Sequence, residues 1–154
     1  MSHGKSFAIL AALLLVGTAA FAWTERTAEA TEIVVYATPT CGCCSAWVEH
    51  LQENGFEVEV VHQDDLSAIR REHGLPPELM SCHMGIVEGF AIEGHVPAST
   101  VQRLVAERPA VLGIAAPGMP MGSPGMEHPD GITQQFEVYS WDASGATEIF
   151  ETIN

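Results

Sequence analysis

Apolar and polar positions switch between two periods along the chain, and each switch marks a short element. Ile33-Val34-Val35-Tyr36-Ala37 is a continuous apolar run of strand length. Trp47, Val48 and Leu51 then recur at helical spacing, predicting a helix that opens at the cysteines Cys41 to Cys44 and runs to about Asn54. Gly55 is a good stop for it. Phe56-Glu57-Val58-Glu59-Val60 alternates with a period of two, a strand with one covered face. Asp64-Asp65 can cap a short helix through Leu66, Ile69 and His73, ended by Gly74-Leu75-Pro76-Pro77. A third strand ends at Val87, and Glu88-Gly89 turns into a fourth, Phe90-Ala91-Ile92. After His95-Val96-Pro97 comes a helix carrying Val101, Leu104 and Val105, with Ser99 and Gln102 at capping-box spacing. Leu112-Gly113-Ile114-Ala115 reads as a further strand. Phe136 to Trp141 and Thr147 to Phe150 read as a hairpin across Asp142 to Gly145. The glycines and prolines between Pro117 and Gly131 are too dense for regular structure.

The fold class is α/β. The order β-α-β-α-β-β-α over residues 32–109 is that of a thioredoxin-like domain, and residues 110–154 add a Met/Gly/Pro-rich loop and a β-hairpin. In that architecture the loop entering the third strand lies against the start of the first helix. Cys82 occupies that loop, so it is expected to face the helix start. At the N-terminus, Lys5, the apolar run from Phe7 to Ala22 and the small residues Ala20-Phe21-Ala22 predict a secretory signal peptide over residues 1–22. The run is shorter than the ~20 residues of a spanning helix. Residues 23–31 read as a flexible polar lead-in, and no membrane segment is expected after cleavage.

Cleavage removes Lys5, the only lysine, and leaves five arginines against 20 acidic residues. That balance argues against nucleic-acid binding, which needs a basic footprint. A solvated acidic surface is the simple account of it. No phosphate-cradling glycine loop, paired-carboxylate motif or Ser/His/Asp set points to a nucleotide enzyme or hydrolase.

The chemistry concentrates in sulfur. Cys41, Cys43 and Cys44 fall within four residues at a helix start, where unpaired N–H groups and the positive dipole end favour thiolate. Cys41 and Cys44 can form a redox disulfide, and so are the candidate catalytic pair. Cys43 is superfluous for disulfide exchange but useful for holding a soft metal. Thiolate and thioether select Cu(I) over hard ions. Cys82, with His83 and Met84 beside it, and Met119, Met121, Met126 and His128 in the loop are further candidate ligands. Zinc at Cys41, Cys44, Cys82 and His83 is the alternative, but leaves Cys43 and the methionines unexplained. Each piece also has a plain reading. The cysteines can be a disulfide with a spare thiol, and Met119, Met121 and Met126 can be flexible cover for an apolar patch. Met80 and Trp47 read as core, although Trp47 can also shield the sulfurs. His50, His62 and His73 read as solvated. His95 is either a loop stabiliser or a ligand, and the residues do not decide between them.

Cys41-Gly42-Cys43-Cys44 after a strand, Ser81-Cys82-His83, Glu93-Gly94-His95-Val96-Pro97 and Pro117-Gly118-Met119-Pro120 through Gly122-Ser123-Pro124-Gly125-Met126-Glu127 together resemble the CopG-type copper-resistance proteins of Gram-negative bacteria. Met84 stands where that family more often has a small polar residue. The resemblance implies a periplasmic, monomeric protein whose thioredoxin-like domain and C-terminal extension hold a cysteine-bridged copper cluster. It also implies interconversion of Cu(I) and Cu(II) during detoxification, alongside copper-efflux components. A metal-free thiol–disulfide oxidoreductase using Cys41 and Cys44, and a copper carrier without redox turnover, are the alternatives.

Overall fold

The computed structural model describes residues 30–154. The leader expected over 1–22 and nearly all of the lead-in expected over 23–31 lie outside the described residues. The elements are β1 (Thr31–Ala37), α1 (Gly42–Glu53), β2 (Phe56–His62), α2 (Ser67–Glu72), a 3-10 turn (Pro77–Leu79), β3 (Met84–Val87) and β4 (Phe90–Gly94). They continue with α3 (Ala98–Glu107), β5 (Gly113–Ala116), β6 (Phe136–Trp141) and β7 (Thr147–Ile153). The strands form one mixed sheet in the order β2-β1-β3-β4-β5-β6-β7. The β1–β2 and β4–β5 pairs are parallel and the other neighbours antiparallel. The strand at the chain's start begins earlier than its apolar run, because Thr31 and Glu32 pair with Phe56 and Glu57.

Side chains alternate across the pleat, and the two faces are covered by different helices. Trp47 and Leu51 of α1 and Val101 and Leu104 of α3 pack on Ile33, Val35, Val87 and Ile114. On the other face Leu79, Met84, Ala91, Ala115 and Trp141 form a smaller cluster with Ile69 of α2 against it. Met84 is thus core, fully buried. Among the described residues no helix is long and apolar enough to cross a membrane.

The turn between β3 and β4 sets the geometry of everything beyond it. Glu88 and Gly89 both have positive φ (50° and 85°), as a two-residue hairpin turn of the primed type requires. The resulting ladder pairs Val87 with Phe90 and Met84 with Glu93. Carried two residues further, the same register sets Cys82 opposite His95.

Four sequence expectations are corrected. The capping box at Ser99 and Gln102 does not form, since Pro97 holds the cap position of α3 without a side-chain bond. The Ala98 N–H donates instead to His50 Nε2 at 3.0 Å, and Gln102 donates to the Asn54 carbonyl. His50 is therefore not a solvated surface residue: burial lowers its pKa and keeps the ring in the accepting form. Met80 is half-exposed, because it follows the 3-10 turn and precedes the strand. Val60, expected on the covered face of β2, is also exposed and lines an open cleft with Val48 and His62.

Candidate metal centre

Helix α1 begins directly after the turn that leaves β1. Cys41 occupies its N-cap position, with the N–H of Cys41 bonded back to the Thr38 carbonyl. Cys43 and Cys44 lie in the first turn, where backbone N–H groups lack helical partners. Cys41 and Cys44 are joined as a disulfide, and Cys43 and Cys82 are free thiols. The Cys41 and Cys43 sulfurs are 3.5 Å apart. Despite its distance in sequence, Cys82 joins them: all four Sγ atoms lie within 4.8 Å of one another.

Cys82 has a second set of neighbours. Its Sγ is 3.2 Å from His83 Nδ1 and 3.1 Å from His95 Nε2. The Pro124 carbonyl can only accept, so His95 Nδ1 carries a hydrogen and donates it there at 2.7 Å. Nε2 is then the bare nitrogen facing the sulfur. The His83 ring lies between Trp47 and His95, with ring centres 4.3 Å and 4.9 Å away.

Burial, then repulsion from Cys43, pushes the Cys82 thiol up to about 12. Burial, then the neighbouring His95, lowers His83 from 6.5 to about 3. Burial lowers His95 as well. A histidine depressed on folding binds fewer protons than in the unfolded chain. Its contribution to stability is full above the unfolded value and is lost as pH falls from 6.5 towards 3. The metal-free protein is expected to lose about 1.4 kcal/mol per pH unit through His83 across that window. Urea unfolding between pH 7 and 5 checks it, and a flat profile there contradicts a neutral buried His83.

The approach to Cys82 is fixed by a buried charge. Glu93 on β4 is fully buried and accepts from Arg70 Nη2 and from the Ser81 N–H, both at 2.6 Å. The same guanidinium donates to the Ser81 carbonyl at 2.8 Å. Both peptide groups flanking Ser81 are thereby held, and Cys82 follows. Burial raises the Glu93 pKa, against the pull of the Ser81 N–H and Arg70.

The glycine- and proline-rich loop covers the helix start with its main chain. Pro124 holds His95, and Gly125, with φ of +83°, sits so close that an added Cβ would lie 2.8 Å from the Cys43 carbonyl and 3.0 Å from the Trp47 nitrogen. Gly125→Ala is expected to add about 1–2 kcal/mol of left-handed strain to that collision. At about 1.4 kcal/mol per factor of ten, alkylation of Cys43 should quicken roughly tenfold with helix content unchanged. An unaltered rate would show that the loop is not seated there.

The other loop candidates are placed differently. Met126 is half-buried next to Gly125, whereas Met119 and Met121 are exposed. Met119 lines a cleft of about 560 Å³ with Gln134, Phe136 and Tyr139, none of them a sulfur-cluster residue. His128 Nδ1 accepts from the Asp130 N–H, and among the described residues His128 belongs to no converging group of His, Cys and carboxylate atoms. His62 is exposed and His73 half-exposed. His95, undecided in the sequence, is fully buried beside Cys82. The signal for it was the two-residue turn, which sets the hairpin register.

Two solved structures described as "Copper resistance protein copG- Form 2" and "Copper resistance protein copG- Form 1" are each 39% identical to this chain. The first superposes with a TM-score of 0.77 over 82% of this chain and 100% of its own, the second with 0.76 over 81% and 98%. The chain belongs to the CopG family. A family model described as "Protein of unknown function, DUF411" matches residues 79–126. That span holds Cys82, His83, His95 and the loop through Met126, but begins beyond the three cysteines of α1. No curated protein matches. CopG family membership accounts for a fold shared over 82% and 81% of this chain.

Proposed function

We propose that this chain is a periplasmic copper-binding protein of copper resistance, exported by cleavage of residues 1–22, that takes Cu(I) and Cu(II) as substrate ions and interconverts them at a cysteine-bridged cluster. The observation that carries this reading is the convergence of Cys41, Cys43, Cys44 and Cys82, with every sulfur within 4.8 Å of the others. Thiolates favour Cu(I), and a thiolate sulfur can bridge two ions, so four of them at this spacing suit more than one copper. Zinc at Cys41, Cys44, Cys82 and His83 leaves Cys43 without a role. Similarity to copper-resistance proteins over their whole length supports copper. The thioredoxin-like half, residues 32–109, supplies the thiols, and the extension covers them. Of the candidate outer ligands, His83 already touches Cys82; Met126 is half-buried beside Gly125, and Met119 and His128 join with the loop rearranged.

The electron count is consistent. Two Cu(I) ions oxidised to Cu(II) release two electrons, the number that converts the Cys41–Cys44 disulfide to two thiolates. In this reading the protein works as a monomer and passes copper to efflux components. Anaerobic loading of the reduced protein with Cu(I) tests it. At least one copper per chain is expected, with sulfur-to-copper absorption that weakens in Cys43→Ser. Less than one copper per chain, unaffected by that change, contradicts it. A carrier without turnover would bind identically but show no change on stopped-flow mixing with an oxidant.

A second reading has its own observation: the Cys41–Cys44 disulfide borders an open cleft of about 280 Å³ lined by Pro39, Val48, Glu49 and Val60. As a metal-free thiol–disulfide oxidoreductase, the protein would attack with Cys41 and resolve with Cys44. Cys44→Ser would then trap a mixed disulfide, while Cys43→Ser and Met126→Leu would leave reductase activity intact.

A further inference from the structure

Cys41 and Cys44 must be thiols to bridge copper or to attack a substrate, and here they are bonded to each other. Two electrons have to reach that bond from outside. The sheet order leaves two sides from which they can come, since β1, which leads into the helix start, lies between β3 and β2. The β3 side is closed. Cys82 stands there, and Gly125 approaches the Cys43 carbonyl and the Trp47 nitrogen so closely that not even a Cβ fits. The β2 side is open, as the cleft of about 280 Å³ that both cysteines of the disulfide line.

That cleft is too small to enclose a small molecule, for which roughly 300–1,000 Å³ is usual. It fits a few side chains of another protein. Its walls are apolar at Val48 and at the exposed Val60, and acidic at Glu49. Among the described residues β2 is an end strand of the sheet, so its outer N–H and C=O groups can pair with an added strand. Its exposed Glu57 and Glu59 repeat the charge of Glu49. From Thr31 to Ile69 the chain has acidic residues but neither lysine nor arginine. Arg70, the first cation after that stretch, is turned to the buried Glu93. A partner that complements this face is basic.

We propose that this cleft docks a basic, extended segment of a dithiol-bearing reductant protein, which delivers two electrons to the Cys41–Cys44 bond. The partner's first thiolate attacks the Cys41 sulfur, which belongs to the half-buried and so reachable member of the pair. The Cys41–Cys44 bond breaks and its electron pair leaves on Cys44, buried in the first turn of α1, where unpaired N–H groups favour a thiolate. The partner's second thiolate then attacks the partner's own sulfur in the mixed disulfide and releases Cys41. The partner leaves as a disulfide and this chain as a dithiol. This delivery rests on the reading that the pair works as thiols, common to both functions proposed above.

Two synthetic peptides test it on the intact, oxidised protein. Each carries Cys-x-x-Cys and valine; one is flanked by arginine, the other by glutamate. Alkylation and mass follow the opening of Cys41–Cys44, with dithiothreitol as the uncharged reference. Relative to dithiothreitol, the arginine peptide should react at least about tenfold faster than the glutamate peptide at low salt, and the gap should close as salt rises. Glu49→Arg and Val60→Arg should each bring the two peptides near parity. Glu148→Arg, on the opposite end strand, should preserve the gap. Far-UV circular dichroism checks the fold of each variant, and Glu49→Arg, at an exposed helix position, decides if Val60→Arg does not fold. Equal rates for the two peptides, a gap that survives Glu49→Arg or Val60→Arg, or an equal loss in Glu148→Arg each overturns the proposal. A disulfide that dithiothreitol opens and neither peptide does overturns the docking alone. One that dithiothreitol leaves closed overturns the thiol chemistry of both readings as well.

Discussion

Replacing Arg70 by methionine is expected to cost about 3–5 kcal/mol at neutral pH, the usual penalty for stranding one member of a buried ion pair. That is a large share of the ~5–15 kcal/mol by which a domain is stable. Glu93 is fully buried and the Arg70 side chain is 17% exposed, with a 2.6 Å contact between them. Without the guanidinium, the carboxylate keeps, among the described residues, only the Ser81 N–H, and the Ser81 carbonyl loses the Arg70 donor. Burial already raises Glu93, and removing its cation raises it further, so the folded state of the variant binds a proton more readily than the unfolded chain. The penalty is greatest where the group must stay charged and shrinks as pH falls through its folded value. Chemical denaturation at pH 7 and pH 5 checks both claims. A paired Arg70→Met and Glu93→Met change should recover much of the loss, since apolar replacement of both members is often neutral. A cost under 1 kcal/mol for Arg70→Met alone would mean that the pair does not hold the Cys82 loop.

Trp47→Ala is expected to cost about 3–5 kcal/mol in the metal-free protein. The indole is fully buried, packs on His83 and donates from Nε1 to the Val96 carbonyl at 2.8 Å. Val96 follows His95, so the donation holds the backbone on which that imidazole hangs. Trp47→Phe separates the contributions: it keeps most of the apolar contact and strands the carbonyl, for about 1–3 kcal/mol. Urea midpoints of the two variants check this. Equal losses would assign the whole effect to the hydrogen bond, and no loss in Trp47→Phe would assign it to packing.

Local pattern carried the fold a long way. The apolar run at Ile33, the alternation after Phe56 and the periodic Val101, Leu104 and Val105 each formed the element they predicted, although Val60 at the far end of the alternation is exposed. Tertiary partners were not legible. The cap of α3 comes from His50, a residue 48 positions away, and no local pattern announces it. Glu93 looked like one acid among 20 because a strand buried on both faces shows no alternation to contrast with it. At the site, the convergence of Cys82 with the helix cysteines followed from element order alone. His95 was legible in principle, since the turn at Glu88 and Gly89 fixes which residue stands across from Cys82, but only if the ladder is counted outward residue by residue.

The cover over the cysteines is fastened by backbone atoms: the Pro124 carbonyl on His95 and the close approach of Gly125 to Cys43 and Trp47. Met119 and Met121, exposed on the same segment, are passengers on that clasp. Their thioethers can be exchanged for leucine without unfastening it. Closure and sulfur content are therefore independent variables in this molecule, and each can be altered while the other stays constant.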